Sequence, residues 1–185
     1  MVIFENILKH NLRMKFGFIF SAVSALLLAT ACNFNKDSRK SFDDVVKYND
    51  FIVDHINALD SAYILALATD NGIDVCMKKC DSLVGLCEKT AMELKGIQPY
   101  DGDSSLTMQA LAYTQFMKNN GEKEVKKLLN LIDNYEKASL EEQEALVDEV
   151  QTAAEKMDKN AEIEIGKVDK VQKKFATKHN YKILK

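Results

Sequence analysis

Apolar residues recur at intervals of three and four positions along most of the chain, and this spacing limits the possible folds more than any other feature. An α-helix has 3.6 residues per turn, so such spacing gathers the apolar side chains on one helical face. Alternating runs of β-branched residues, which are typical of strands, do not occur. The sequence therefore predicts an all-α fold.

Four separate stretches show this spacing. The first comprises Val45, Tyr48, Ile52, Ile56, Leu59, Tyr63 and Ala66, and the second Ile73, Cys76, Cys80, Leu83, Cys87, Ala91 and Leu94. The third comprises Leu106, Ala110, Tyr113, Met117, Leu128, Ile132 and Tyr135, and the fourth Leu146, Val150, Ala153, Met157, Ala161, Val168 and Phe175. We expect each stretch to be an amphipathic helix that buries these residues.

Short turn sequences separate the four stretches. Residues 70–72 (DNG) end the first, Gly96 and Pro99 end the second, and Ser139 with Glu142 has the spacing of a capping box. Four amphipathic helices joined by short turns predict an antiparallel four-helix bundle. The fourth helix, at roughly 38 residues, would be about 57 Å long, so we expect the bundle to be elongated. Within the third, residues 120–121 (NG) are expected to bend or break the helix.

An apolar stretch at residues 17–31 precedes these helices. It is shorter than the roughly 20 residues that a membrane-spanning helix needs, and it has the length of a signal-peptide core. It ends in small residues followed by Cys32, a pattern that resembles the lipobox of bacterial lipoproteins, although Ala29 stands where that pattern commonly has Leu. The sequence thus predicts a signal peptide over residues 1–31 and a lipid on Cys32. Met14 with Lys15 begins a more compact signal than Met1 does, so we expect translation to start at Met14.

Polar residues 33–40 follow the cysteine. We interpret residues 32–40 as the lipidated cysteine and a short tether, and residues 41–185 as the helical domain. Eight extended residues reach at most about 26 to 29 Å, so the domain would stay close to the membrane. The formal net charge is −3, with both signs spread along the chain, and this balance argues against a nucleic-acid partner.

Three further stretches resemble a family of uncharacterised bacterial surface lipoproteins, of the kind found in spirochaetes and Bacteroidota. They are residues 47–53 (KYNDFIV), 100–106 (YDGDSSL) and 173–184 (KKFATKHNYKIL). The resemblance implies an envelope location, in the outer membrane facing the periplasm or the cell surface, and a helical fold. It brings no catalytic residues.

Three cysteines, Cys76, Cys80 and Cys87, lie on one side of the second helix. The preferred interpretation is that they fill the core as small apolar side chains. A disulfide remains open, because exported proteins meet oxidising conditions. A metal site is disfavoured, because zinc usually recruits four ligands and few histidines accompany these cysteines. We predict no metal and no cofactor.

Two polar groups are the remaining candidate sites. Asp101, Asp103, Ser104 and Ser105 resemble the start of a calcium loop, but that loop's later glycine and glutamate are missing. A turn with a side-chain helix cap explains them better, and a ligand or partner contact is the alternative.

Tyr48, Asn49 and His55 form the second group, as a possible polar pocket. The competing interpretation is that Asn49 is buried and fixes the register of the first helix.

Motifs of common enzyme classes do not occur in the sequence. We therefore expect a non-enzymatic, lipid-anchored structural or interaction module with a protein partner. The alternative is a ligand- or metal-binding lipoprotein that uses the bundle interior or the turn at residues 101–105.

Overall fold

The computed structural model describes residues 38–69 and 72–183, and this part of the chain consists of helices packed against one another. The helices are α1 (Val45–Leu67), α2 (Ile73–Lys95), α3 (Ser105–Asn119), α4 (Lys126–Lys137) and α5 (Leu140–Lys178). A π-helical segment, Asn120–Val125, joins α3 to α4 without interruption, so these three elements form one continuous third helix. The predicted all-α class and the four packed helices are confirmed.

Local side-chain chemistry sets the helix ends. Asp44 caps α1 by accepting hydrogen bonds from the backbone N–H groups of Val46 and Lys47. The predicted capping box of Ser139 and Glu142 begins α5. Past its end, Asn180 adopts φ +55°, and the Tyr181 N–H donates to the Ala176 carbonyl at 3.1 Å. Such a left-handed residue is a common way to end a helix.

Contacts between distant residues establish the helix directions. The Lys40 N–H donates to the Gly96 carbonyl at 2.7 Å, which places the start of α1 beside the end of α2. Lys118 pairs with Glu88, and Lys126 pairs with Asp81, so the third helix runs opposite to α2. At 2.9 Å, the hydrogen bond from Gln172 to Asn49 brings the end of α5 to the start of α1.

The core is built from the apolar faces that the periodicity predicts. Most members of the four predicted stripes are buried. A few lie at the edges of these faces and are only half-buried: Val45, Ile73, Ala91, Tyr135, Leu146 and Ala153. The apolar spacing does not predict the buried polar residues, because it considers apolar residues alone. Among these buried polar residues are Thr90, Thr114 and Gln172.

The third helix neither breaks nor stops at residues 120–121. Instead the backbone widens to the π-helical hydrogen-bonding pattern while Asn120 and Gly121 become buried. A Cβ atom on Gly121 would lie 3.1 Å from Leu83 Cδ2, so the absence of a side chain lets the third helix approach α2 closely. Single π turns of this kind interrupt otherwise regular helices.

The signal peptide, the Met14 start and Cys32 all fall within residues 1–37, outside the described part of the chain. Lys40, at the end of the predicted tether, bonds the segment that follows α2: its N–H donates to the Gly96 carbonyl, and its carbonyl accepts the N–H of Gln98. No helix in the described ranges is both long and apolar enough to cross a membrane.

The buried cysteines of α2 generate a stability prediction. Cys76, Cys80 and Cys87 are buried thiols, and burial raises the pKa of Cys80 to about 11. Cys80→Ala should lower the free energy of unfolding by about 1 kcal/mol, the common size for a point mutation. Cys80→Asp should cost several times more, because it buries an unpaired carboxylate. Chemical denaturation measures both changes.

Lys78→Asp is the matched control, since it adds a carboxylate on the exposed side of the same helix. A Cys80→Asp variant as stable as this control would show that α2 presents a different face to the core.

Candidate functional site at one end of the bundle

Parts of the three sequence blocks that carry the family resemblance meet at one end of the bundle. The Tyr48 ring lies 5.6 Å from the Tyr100 ring and 5.5 Å from the Phe175 ring, measured between centroids. His179 packs edge-on against Tyr100 at 5.2 Å. Together with Asp103, these four aromatic residues form what we call the end cluster.

Tyr48 is the most enclosed member of the end cluster, with no exposed surface. Its hydroxyl group shares a 2.5 Å hydrogen bond with the hydroxyl of Thr107 in α3. Burial raises the pKa of Tyr48, and the bond to Thr107 offsets part of that rise. The phenol is therefore neutral and already hydrogen-bonded, so it serves packing between α1 and α3.

Asp103 joins the turn before α3 to the end of α5. One carboxylate oxygen accepts the Ser105 N–H at 2.9 Å, and the other accepts Lys178 Nζ at 2.7 Å and His179 Nε2 at 3.3 Å. Burial alone would raise the pKa of Asp103, but the hydrogen bonds from Lys178, Ser105 and His179 outweigh it and hold that pKa well below its ordinary value.

The other residues of the predicted turn have smaller roles. Asp101 and Gly102 are exposed, with φ of +48° and +73°, and they make the tight turn that the Asp103 N–H closes on Tyr100. The Ser104 hydroxyl contacts Met108 Sδ and does not cap α3. Asp103 supplies the predicted side-chain cap of α3, because its carboxylate accepts the N–H of Ser105, two residues later.

Asn49 lies beside the end cluster and is buried. Its side-chain oxygen accepts hydrogen bonds from Gln172 Nε2 at 2.9 Å and from the Tyr181 hydroxyl at 2.8 Å. The interpretation that a buried Asn49 fixes the register of α1 agrees with this arrangement, because the partners come from α5 and from the tail behind it.

His55 bonds partners other than Tyr48 and Asn49, the two residues with which the sequence grouped it. Its Nδ1 lies 2.6 Å from the Phe51 carbonyl oxygen, and its Nε2 bonds the carboxylate of Glu93 in α2. The hydrogen bond to His55 is the largest of the effects that lower the pKa of Glu93. His55 thus links α1 to α2 on a different side of α1.

A second polar group lies further along the bundle interior, and no sequence pattern indicates it. The Tyr113 hydroxyl donates to the Asp60 carboxylate, and burial raises the pKa of Asp60 to about 6 even though this bond opposes the rise. The buried hydroxyl of Tyr63 has no hydrogen-bond partner among the described residues. The apolar spacing includes both tyrosines as apolar residues, so it gives no indication of what their hydroxyl groups bond.

A groove of about 500 Å³ separates the π-helical segment and α4 from α5. Apolar side chains contribute to its lining, and charged residues lie beside them. Its lining includes Leu128, Leu131, Ala145, Ala153 and Met157 together with Glu124, Lys127, Asp148, Glu149 and Lys156. In helix-in-groove complexes, the apolar face of an amphipathic helix binds to the apolar part of a groove.

The chemistry that these groups can perform is limited by how fully they are paired. Both carboxylate oxygens of Asp103 and the amide oxygen of Asn49 are already hydrogen-bonded. Over the described ranges, no three His, Cys, Asp or Glu side chains are arranged to hold a metal ion.

Comparison with known proteins adds no relative. No family model matches the chain, and no curated protein or solved structure is significantly similar to it.

The pairing of Asp103 generates a prediction about acid stability. Because the folded state lowers the pKa of Asp103, its stabilisation is present above the ordinary Asp pKa of about 3.9 and is lost as the pH falls below that value. Asp103→Asn should reduce the free energy of unfolding by about 1 to 3 kcal/mol at pH 7. The reduction should shrink below pH 4, as measured by denaturant titrations across pH.

Asp101→Asn is the control, because Asp101 lies in the same turn and is exposed. Equal effects of the two substitutions, or a loss at Asp103 that does not depend on pH, would contradict this role.

Proposed function

We propose that the chain is a lipid-anchored protein of the bacterial cell envelope, held in the outer membrane on its periplasmic face or at the cell surface. Its helical domain acts without catalysis, as a structural or interaction module that binds a protein partner. The resemblance to surface lipoproteins and the lipobox-like end of residues 17–31 support the anchor. The groove between α4 and α5 is the observation that supports the binding role.

The position of the groove suits a partner that approaches from outside the membrane. Lys40, where the chain enters the bundle, is bonded beside the end of α2. The pairing of Lys126 with Asp81 places α4 near the first part of α2 instead. The two sites are thus separated along α2, which has 23 residues and a length of about 34 Å.

Exposed apolar side chains occur on the first part of α5, near the residues that line the groove. Leu140, at the start of α5, is 83% exposed, and Ala145 is also exposed. Isolated exposed apolar residues are ordinary, but their grouping beside a groove is typical of an interaction site. We expect the partner to insert an amphipathic helix, with its apolar residues on the floor and its polar residues at the charged rim.

A ligand-binding lipoprotein is the second candidate. The observation that favours it is that two buried polar atoms, the Tyr63 hydroxyl and the Asn120 side-chain nitrogen, have no hydrogen-bond partner in the described part of the chain. Unpaired buried polar atoms cost about 1 to 3 kcal/mol each unless something binds them. The turn at residues 101–105 is less favoured, because Asp103 already bonds Lys178 and His179.

The proposal is tested by photo-cross-linking in the native host. A photoreactive amino acid replaces Thr152 in the groove or, as the matched control, Thr177 on the exposed side of α5 far along the same helix. We expect discrete cross-linked protein adducts from position 152 and few from 177.

Fatty-acid labelling tests the lipid anchor. It should mark the wild-type chain and disappear in Cys32→Ala, which should accumulate as a larger precursor.

Each readout has an outcome that contradicts its part of the proposal. Normal fatty-acid labelling of Cys32→Ala would contradict the proposed lipid anchor. Equal adducts from positions 152 and 177, or none from 152, would contradict the proposal that the groove is the binding surface.

A further inference from the structure

Charge is distributed very unevenly along α5. Residues 140–155 contain six acidic residues and no Lys or Arg. Residues 165–183 contain six lysines and one acidic residue, Asp169. The lysines are Lys167, Lys170, Lys173, Lys174, Lys178 and Lys182. The helix is therefore basic at the end that carries the end cluster and acidic at the end beside α4.

The lysines of α5 share one exposed face of the helix. Val168, Gln172 and Phe175 are buried and define the inward side. At 100° per residue, the five lysines from 167 to 178 fall on the opposite side, within an arc of roughly 140°. All five are exposed, and so is Lys182 beyond the helix. We call these six residues the lysine face.

Most of the lysine face is not neutralised by neighbouring carboxylates. Lys167 pairs with Glu164, and Lys178 pairs with Asp103. For Lys170, Lys173, Lys174 and Lys182, no ion pair is formed with any other described residue. The face therefore keeps four positive charges available to an external anion.

Stabilisation of the helix by its own dipole does not account for this pattern. Cations favour a helix C-terminus only within the last turn. Lys178 lies in that turn, whereas Lys167, Lys170 and Lys173 lie more than a full turn before Lys178. The charge extends over at least three turns, which is more than the helix end requires.

The lysine face is close to the point where the chain enters the bundle. The hydrogen bond from Gln172 to Asn49 and the ring contact of Phe175 with Tyr48 place this part of α5 at the start of α1. Lys40 precedes α1 by only a few residues and is bonded to the same end of the bundle. Lys40 is eight positions after Cys32 in the sequence, a reach of at most about 29 Å.

We propose that the lysine face of α5 rests on the anionic lipid headgroups of the membrane in which Cys32 is anchored. This inference rests on the proposed lipid anchor, which would hold the face within reach of the bilayer. Basic side chains near an anionic leaflet are attracted over about one Debye length, roughly 8 to 10 Å. The contact would orient the bundle with this end of α5 toward the bilayer.

Amine footprinting of the full-length chain in vesicles tests this contact. The chain is reconstituted into phosphatidylcholine vesicles, with or without about 30% phosphatidylglycerol, and its lysines are acetylated and quantified by mass spectrometry. In anionic vesicles we expect acetylation of Lys170, Lys173 and Lys174 to fall at least threefold. Lys123 and Lys137, which are exposed elsewhere in the bundle, should react equally in both.

Two further measurements identify the source of the protection. Salt at about 0.5 M should restore acetylation, because it shortens the Debye length to a few ångströms. Inorganic phosphate at the same total concentration as the anionic lipid should give no protection. Protection by phosphate alone would mean a free-anion site and would overturn the membrane contact.

A triple variant and its control complete the test. Replacing Lys170, Lys173 and Lys174 by Gln should abolish the protection of Lys167 and Lys182 in anionic vesicles. Replacing Lys78, Lys123 and Lys137, which are exposed elsewhere in the bundle, by Gln should preserve it, and circular dichroism should show equal helix content in both variants.

Equal acetylation in neutral and anionic vesicles would overturn the inference, and so would salt-resistant protection. Both outcomes come from comparing the same lysines of the same chain in two vesicle compositions or at two salt concentrations, so they are read independently of the lipid at Cys32. Fatty-acid labelling reports the proposed anchor separately.

Discussion

Asn49 joins three parts of the chain through one buried oxygen atom. Gln172 in α5 and Tyr181 in the tail both donate to it, from positions 123 and 132 residues away in the sequence. A buried amide oxygen without partners costs about 1 to 3 kcal/mol, so any slide of α5 along α1 carries that penalty. Apolar packing alone would tolerate such slides more easily. Asn49 therefore sets where α5 ends relative to the start of α1.

The rest of this bundle end follows from that register. With α5 fixed, Phe175 reaches the Tyr48 ring and Lys178 reaches Asp103. Asp103 in turn holds the turn that begins α3. The tail is secured as well, because Asn180 reverses the chain and brings the Tyr181 hydroxyl to Asn49. One polar residue in the first helix thus organises contacts to the third and fourth.

Much of the fold could be predicted from the sequence, because helical periodicity is a local property. The spacing of Tyr48, Ile52 and Ile56 predicts a buried face with no knowledge of its partner, and Ser139 with Glu142 marks a helix start. The π-helical segment could not be predicted, since it depends on how closely Gly121 approaches Leu83. The sequence predicts a bend or break at residues 120–121, but the packing of the third helix against α2 determines that the backbone there is π-helical.

The site residues were harder to predict for a related reason. Asn49 and Asp103 were named from local patterns, yet their roles depend on partners in α5. Lys178 and His179 carried no local signal that linked them to Asp103. His55 was grouped with Asn49 by closeness in sequence, although six positions along a helix point the two side chains in different directions. Pairing across helices is a property of the assembled bundle.

The hydrogen bonds of Asn49 are the constraint on which this end of the bundle depends, and native-state hydrogen exchange tests that dependence most directly. Asn49→Ala should accelerate exchange of the backbone amides at residues 172–181 by roughly tenfold or more, which corresponds to about 1.4 kcal/mol or more of lost local stability. Amides in α4 should be unaffected. Asn57→Ala, a half-buried asparagine in the same helix, should leave both regions unchanged. Unaltered exchange at residues 172–181 in Asn49→Ala, or equal acceleration in α4, would contradict the account.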